Sequence, residues 1–139
     1  MEKFLARTLA TLLTTTALCA TALLTGPSAA ASAQGCTQSE LDGKPALLCH
    51  AVWGKGAYVS DMEASADFTG HTCDGRFKLW GTLSNGKAWS YSGWAKCATG
   101  RSWIKIKVKK NFKKGTKTCG AIVRPTGAVR KEHACVKIK

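Results

Sequence analysis

The sequence has no stretch with the pattern of an amphipathic helix. Beyond residue 33, apolar side chains never recur at the three- and four-residue spacing of a helix face over three turns. Internal repeats and low-complexity segments are also missing from that part of the chain. A length of 139 residues is too short for a two-domain enzyme with a separate cofactor module. These absences leave one small domain.

The N-terminal segment has the composition of a signal peptide. Lys3 and Arg7 precede a run of Ala, Leu and Thr that is too short and too polar for a membrane anchor. Small residues follow, ending at Ala33, where we predict cleavage. Residues 1–33 are then the signal peptide, and residues 34–139 form a single disulfide-rich domain that is secreted and does not insert stably into a membrane.

Six cysteines remain after that cleavage, and none has the spacing of a zinc site. An even number of cysteines in a short exported chain predicts disulfides, because an oxidising compartment lets them persist. Sequence alone leaves many pairings open. We expect bonds between chain neighbours, with the last two each bracketing a turn or hairpin: Cys36–Cys49, Cys73–Cys97 and Cys119–Cys135.

Period-two alternation, a mostly apolar run at 46–53 and the Asn85-Gly86 turn signal together predict about seven short strands. They cover residues 46–53, 58–68, 77–84, 87–92, 103–110, 118–124 and 134–138. With turn residues between them, they predict an all-β fold, a small disulfide-stapled antiparallel β-sandwich, with a compact β-barrel as the alternative.

Two of these strands allow more detailed predictions. Asn85-Gly86 predicts a type I′ turn, in a register that places Trp80 opposite Tyr91 and groups three aromatic residues on one side. In 58–68, strict alternation places Tyr58 on the core face and Val59 on a wet face. That wet face also carries the carboxylates of Asp61, Glu63 and Asp67.

Charge is strongly segregated along the chain, whose formal net charge is +13. Residues 75–131 hold 15 Lys and Arg and no acid, whereas residues 34–74 hold six acids against two lysines. Such a field attracts a protein partner with an acidic surface, a polyanion or an anionic cell surface. The residues that we expect to bind a partner are those of the basic segment: Arg101, Trp103, Lys105, Lys107, Lys109, Lys110, Lys113 and Lys114.

Two other interpretations of the basic segment stay open. Alternating lysines can protect an edge strand from aggregation without binding anything. Lysines beside Trp103 also resemble a stacking platform for single-stranded nucleic acid, but no nucleic-acid-binding motif is present and the chain is exported. Five tryptophans exceed what a small core requires, so one or two exposed rings would suit a carbohydrate platform or a protein hot spot.

The sequence gives no catalytic motif, and we expect no enzyme, cofactor or metal. His50 lies in an apolar strand, His71 in a loop and His133 close to Cys135, so each has a structural or surface explanation. The carboxylates of the 58–68 strand share one wet face instead of the opposed pair that a glycosidase needs.

The C-terminal half carries a resemblance to a known family. The run FKKGTKTCG at 112–120, Gly127 and the run ACVKI at 134–138 resemble the small adaptor subunit of umbrella toxin particles of filamentous soil bacteria. The resemblance implies a secreted, non-enzymatic protein that links a toxin-bearing polypeptide to a lectin subunit in an antibacterial toxin complex. It carries no particular binding residues onto this chain, and the oligomeric state stays open.

Two alternatives to an adaptor remain. A secreted inhibitor of a protease or other hydrolase would present a rigid loop, either 54–57 or the loop containing Pro125. A free cationic antimicrobial or polyanion-binding protein would act alone. The polar start of the mature chain, from Gln34 to Asp42, could be an arm that orders on a partner or a frayed terminus tied at Cys36.

Overall fold

The computed structural model describes residues 32–139, so residues 1–31 of the predicted signal peptide lie outside the described residues. This part of the chain forms antiparallel strands, and it contains no helix long and apolar enough to cross a membrane. The strands are β1 (Ala33–Leu41), β2 (Lys44–Lys55), β3 (Tyr58–Thr72), β4 (Arg76–Thr82), β5 (Ala88–Trp94), β6 (Ala98–Asn111), β7 (Lys117–Ile122) and β8 (Ala134–Lys137).

The strands form two sheets, which confirms a β-sandwich and not a closed barrel. Sheet A has the order β1-β2-β3-β6, and sheet B has the order β5-β4-β7-β8. Alternate residues of each strand face the interior, as the period of two requires. The most deeply buried large side chains come from both sheets and from the β6–β7 connection: Leu41, Leu48, Met62, Phe77, Leu79, Phe112 and Ile122.

The polar start of the mature chain is a strand, not a free arm or a frayed end. Residues 33–41 pair with β2 along their whole length, from Ala33 opposite Val52 to Leu41 opposite Lys44. Sequence periodicity missed β1 because its side chains are mostly polar and only half-buried, as suits the edge of a sheet. Glu40 on this strand also forms an ion pair with Arg130 of the β7–β8 loop, Oε1 to Nη2 2.8 Å.

The β4–β5 hairpin is present, but its turn differs from the predicted type I′ turn. Gly86 N–H donates to Leu83 C=O, and Gly86 alone of the two turn residues has a positive φ, 81°. This is a three-residue loop with a left-handed glycine. The register therefore shifts by one residue, and Leu79, not Trp80, lies opposite Tyr91. The predicted grouping of three aromatic residues is wrong, because Trp80 faces outward.

The predicted faces of the 58–68 strand are wrong before Met62, because the strand has a bulge at Ser60. The register with β2 shifts between Trp53 and Gly54, which leaves Ser60 without an opposite residue. Its hydroxyl donates to the Trp53 carbonyl at 3.1 Å. The bulge reverses the alternation, so Val59 is buried and Tyr58 is exposed. From Met62 onward the predicted faces are correct.

All three predicted disulfides are formed. Cys36–Cys49 and Cys119–Cys135 each join residues that lie directly opposite on paired strands, with Cα–Cα distances of 4.1 Å. Cys73–Cys97 joins the residues just beyond the last pair of the β3–β6 ladder. Each bond therefore fastens neighbouring strands, and three disulfides in a small domain indicate an oxidising compartment.

The two sheets meet closely along one side, where β1 passes β8. A Cβ atom added to Gly35 would lie 2.3 Å from the Cys135 carbonyl oxygen, far inside van der Waals contact. The neighbour is backbone in a disulfide-linked strand, so it has little freedom to move aside. Glycine at position 35 thus allows the edges of the two sheets to come together.

We predict that Gly35→Val destabilises the protein by about 1–3 kcal/mol, the usual cost of forcing extra atoms into a packed contact. Urea unfolding followed by tryptophan fluorescence measures the change. Gln38→Val is the matched control, since Gln38 lies exposed on the same strand. Equal urea midpoints for the Gly35 variant and the wild type would show that β1 and β8 are not tightly packed at this position.

His50 joins the two sheets from inside the core. The Glu63 carbonyl, 3.0 Å from Nδ1, can only accept, so Nδ1 carries the proton and Nε2 accepts from the Thr118 hydroxyl at 3.1 Å. Thr118 belongs to sheet B, whereas His50 and Glu63 belong to sheet A. Burial lowers the pKa of His50 to about 4, and the neutral ring is the form that fits both bonds.

We predict that acidification destabilises the fold through His50. The unfolded chain takes up this proton near pH 6.5 and the folded chain only near 4, so stability is lost as pH falls through that window. Between pH 7.5 and 5 the loss from this group is about 2 kcal/mol. His50→Asn, which cannot be protonated, should flatten the pH dependence in urea unfolding, and His71→Asn at an exposed site should not. A wild-type pH dependence in the His50 variant would contradict this prediction.

Candidate interaction surfaces

The acidic and basic strands lie side by side on the outer face of sheet A. In the β3–β6 pairing, Asp61 is opposite Lys107, Glu63 is opposite Lys105, and Asp67 is opposite Arg101. Opposed residues of paired strands present their side chains on the same face. This part of the basic segment is therefore matched with carboxylates from its own sheet.

Direct contacts follow from that register. Nη2 of Arg101 lies 3.1 Å from Oε1 of Glu63, and Nε of Arg101 lies 3.8 Å from Oδ1 of Asp67. Lys105 Nζ stands 3.8 Å from the centre of the Trp53 ring, a cation–π distance. The outer face of sheet A is thus a mixed surface, on which Arg101 is ion-paired and Lys105 and Lys107 lie opposite carboxylates.

Unmatched positive charge collects at one end of the sandwich. The β2–β3 turn, the β4–β5 turn, the β6–β7 connection and the end of β8 meet there. Phe112 N–H donates to Ala57, Ser84 N–H to Asn111, and Gly115 N–H to Ile138. None of these segments contains Asp or Glu. We call this surface the lysine end; its nine lysines, all exposed, are Lys55, Lys87, Lys109, Lys110, Lys113, Lys114, Lys117, Lys137 and Lys139.

The structure divides the eight predicted partner-binding residues into two groups. Arg101, Trp103, Lys105 and Lys107 lie on the mixed face of sheet A, and Trp103 is 53% exposed. The other four, at positions 109, 110, 113 and 114, belong to the lysine end. The β3–β6 register changes between these groups, and Lys109 adopts a left-handed φ of 49°. This irregularity interrupts the alternation of lysines along β6 and separates Lys109 from Lys105.

Sequence reasoning missed the other members of the lysine end. Lys55, Lys87, Lys117, Lys137 and Lys139 come from separate parts of the chain and share no local pattern. Their common signal is position: each lies in or next to a turn, or at the end of a strand, and the turns of antiparallel strands alternate between two ends. Only the strand order shows which turns meet.

The three histidines have separate neighbours. His50 is in the core, His71 Nδ1 is 3.0 Å from the Thr99 hydroxyl, and the His133 ring packs edge-on against Trp80 at 4.8 Å. His71 also lies near Cys73 and Cys97, but those two sulfurs are bonded to each other and offer no thiolate to a metal. Within residues 32–139 the geometry assembles no acid–base pair.

No protein-family model, curated protein or solved structure matches this chain. Its function must therefore be inferred from the surfaces themselves.

We predict that Lys105→Glu destabilises the protein by about 1 kcal/mol. The new carboxylate would face Glu63 across the ladder, and the contact with the Trp53 ring would be lost. Lys113→Glu in the β6–β7 turn makes the same charge change without an opposed acid, and its stability should stay within about 0.5 kcal/mol of the wild type. Urea midpoints at low and high salt test this, and equal effects of both variants would contradict the matched arrangement on sheet A.

Proposed function

We propose that this protein is a secreted, non-enzymatic interaction module that docks its lysine end onto an acidic surface of a protein partner. The lysine end itself carries the proposal: nine exposed lysines from four chain segments converge there without an acidic residue among them. The observed disulfides agree with an extracellular location.

The distribution of acids argues against a mere solubility device. A surface built for solubility intersperses both signs of charge. In this chain the carboxylates of Asp61, Glu63 and Asp67 are placed against β6, and the lysine end receives none. Concentrated positive charge repels itself in the free protein, so an acidic partner relieves that repulsion and is also attracted from a distance.

An adaptor fits this architecture better than an inhibitor does. Residues 54–57 form a short turn, with Lys55 already paired with Tyr58. The loop containing Pro125 is folded on itself through Arg124 N–H to Ala128 and Gly127 N–H to Arg124. Neither projects as a long binding loop. The C-terminal resemblance to umbrella-particle adaptors supports the same role, a connector between a toxin-bearing chain and a lectin.

The test is capture of partners from culture medium by the tagged mature protein, followed by binding kinetics with each purified partner. We predict that Lys110→Glu, Lys113→Glu and Lys114→Glu together slow association about tenfold or more at low salt. The wild type and the triple variant should both associate more slowly with the partner as the salt concentration rises, because salt screens exposed charges.

The matched control makes the same change in net charge elsewhere, at Lys78, Arg124 and Lys131, which lie outside the lysine end. This control should associate at most twofold to threefold more slowly. If both variants associate equally slowly, the slower association is caused by the change in net charge and not by the lysine end, which would overturn the proposal. Retention on heparin without any captured protein would instead indicate a polyanion-binding protein, and stoichiometric inhibition of a captured hydrolase would indicate an inhibitor.

A further inference from the structure

The two sheets are joined along one side only. Strands β1 and β8 meet at the Gly35 contact, whereas β5 and β6, the terminal strands of the other side, belong to different sheets and do not pair with each other. A three-residue connection, 95–97, links them at one end. At the other end the bridge between Leu83 and Phe112 draws β6 towards sheet B. Between these points lies an opening of about 390 Å³.

Side chains that point into the sandwich are uncovered at this opening. Tyr91 lies opposite the fully buried Leu79, so it is on the inner face of sheet B, yet it is 42% exposed. Ile106 lies opposite the fully buried Met62 on the inner face of sheet A, and it too is only half-buried. Trp94, 60% exposed, and Trp103 stand at the rim. An inner-face residue at the edge of a sheet loses its solvent contact when a further strand lies beside it. Among the described residues, no further strand lies beside β5 or β6 at this opening.

We propose that this opening receives one extended segment of a protein partner, which pairs with the free edge of β6 and inserts apolar side chains beside Tyr91 and Ile106. This second site is separate from the lysine end and goes beyond the proposed function. β6 is 14 residues long and hydrogen-bonds along one edge to β3, so its other edge offers a row of main-chain donors and acceptors.

The geometry of β6 specifies the pattern of the segment. An added strand presents its side chains on the same two faces as β6. Inward side chains would meet Ile104, Ile106 and Tyr91, which favours apolar residues. Outward side chains would lie beside Lys105 and Lys107, which favours acidic residues. The expected segment therefore alternates apolar and acidic residues.

Two other occupants fit the opening less well. The residues that line it include no Asp, Glu, Asn or Gln, the side chains that would fix the hydroxyl groups of a sugar. A second copy of this chain pairing through β6 would bring like charges together, since Lys105 and Lys107 are exposed on one face of the strand.

The probe is a soluble peptide of ten residues that alternates valine and glutamate. We expect it to quench tryptophan fluorescence, and to slow amide hydrogen exchange along β6. Three peptides of equal charge serve as controls: one with the valines and glutamates in blocks, one N-methylated at the valines, and one N-methylated at the glutamates. Each methylated peptide has one of its two edges blocked. The block peptide, which loses the pattern, should bind at least tenfold more weakly. The methylated peptide whose methyl groups face β6 should do the same because it loses main-chain donors, whereas the other methylated peptide keeps its pairing edge. Equal binding of all these peptides would overturn the proposal.

Variants of the protein locate the site. Trp94→Ala and Tyr91→Ala should each weaken binding of the alternating peptide at least fivefold, whereas Tyr58→Ala, at an exposed ring away from the opening, should not. The triple lysine-end variant should still bind the peptide, and the peptide should still slow amide exchange in β6 of that variant. Loss of peptide binding at the opening can therefore be distinguished from loss of partner binding at the lysine end. If chitin or cellulose oligosaccharides bind and this binding is lost in Trp94→Ala and Tyr91→Ala, the opening is a glycan site and the proposal is overturned. If the protein forms a dimer that Trp94→Ala abolishes, the opening receives a second copy, which also overturns the proposal.

Discussion

The close approach of β1 to β8 at Gly35 determines the shape of the whole molecule. Backbone lies against backbone at this position, and a disulfide holds each of the two strands to its own neighbour. The sheets are thereby brought together along one side, with the His50–Thr118 hydrogen bond between them. Because each sheet has only four strands, the opposite side stays open between β5 and β6. The proposed strand-binding site is a consequence of that asymmetry.

The same arrangement sorts the positive charge into two kinds. On sheet A, the pairing of β3 with β6 sets carboxylates beside Arg101, Lys105 and Lys107, and these charges are balanced within the fold. At the lysine end the converging turns bring lysines alone. Positive charges that face carboxylates contribute little net attraction at long range, although an exposed lysine among them can still contact a carboxylate of a strand placed beside it. Positive charge without neighbouring acids is the better guide to a surface that docks a partner electrostatically. Two distinct surfaces, one electrostatic and one with an open strand edge, suit a protein that contacts two partners.

Much of the fold was predictable because its signals are local. Seven of the eight strands follow from alternation, an apolar run or a turn signal. The disulfides follow from pairing each cysteine with its neighbour along the chain, because such bonds join adjacent strands. The errors also have local causes. Strand β1 was missed because an edge strand tolerates polar residues, and the hairpin register was wrong because Asn85-Gly86 fits two loop lengths that differ by one residue. The bulge at Ser60 has no sequence signature, since it depends on the pairing of β2 with β3.

An all-β domain with three disulfides and a basic second half is predictable from the amino-acid sequence, because alternation, cysteine spacing and charge are properties of neighbouring residues. Which strands are neighbours becomes known only when the sheets are assembled. That assembly placed Lys105 against Glu63, gathered Lys55, Lys87 and Lys137 with the β6–β7 turn, and left Tyr91 uncovered. The physical reason is that strand order is set by pairing between distant segments and by how two sheets pack, and no single stretch of the chain encodes either.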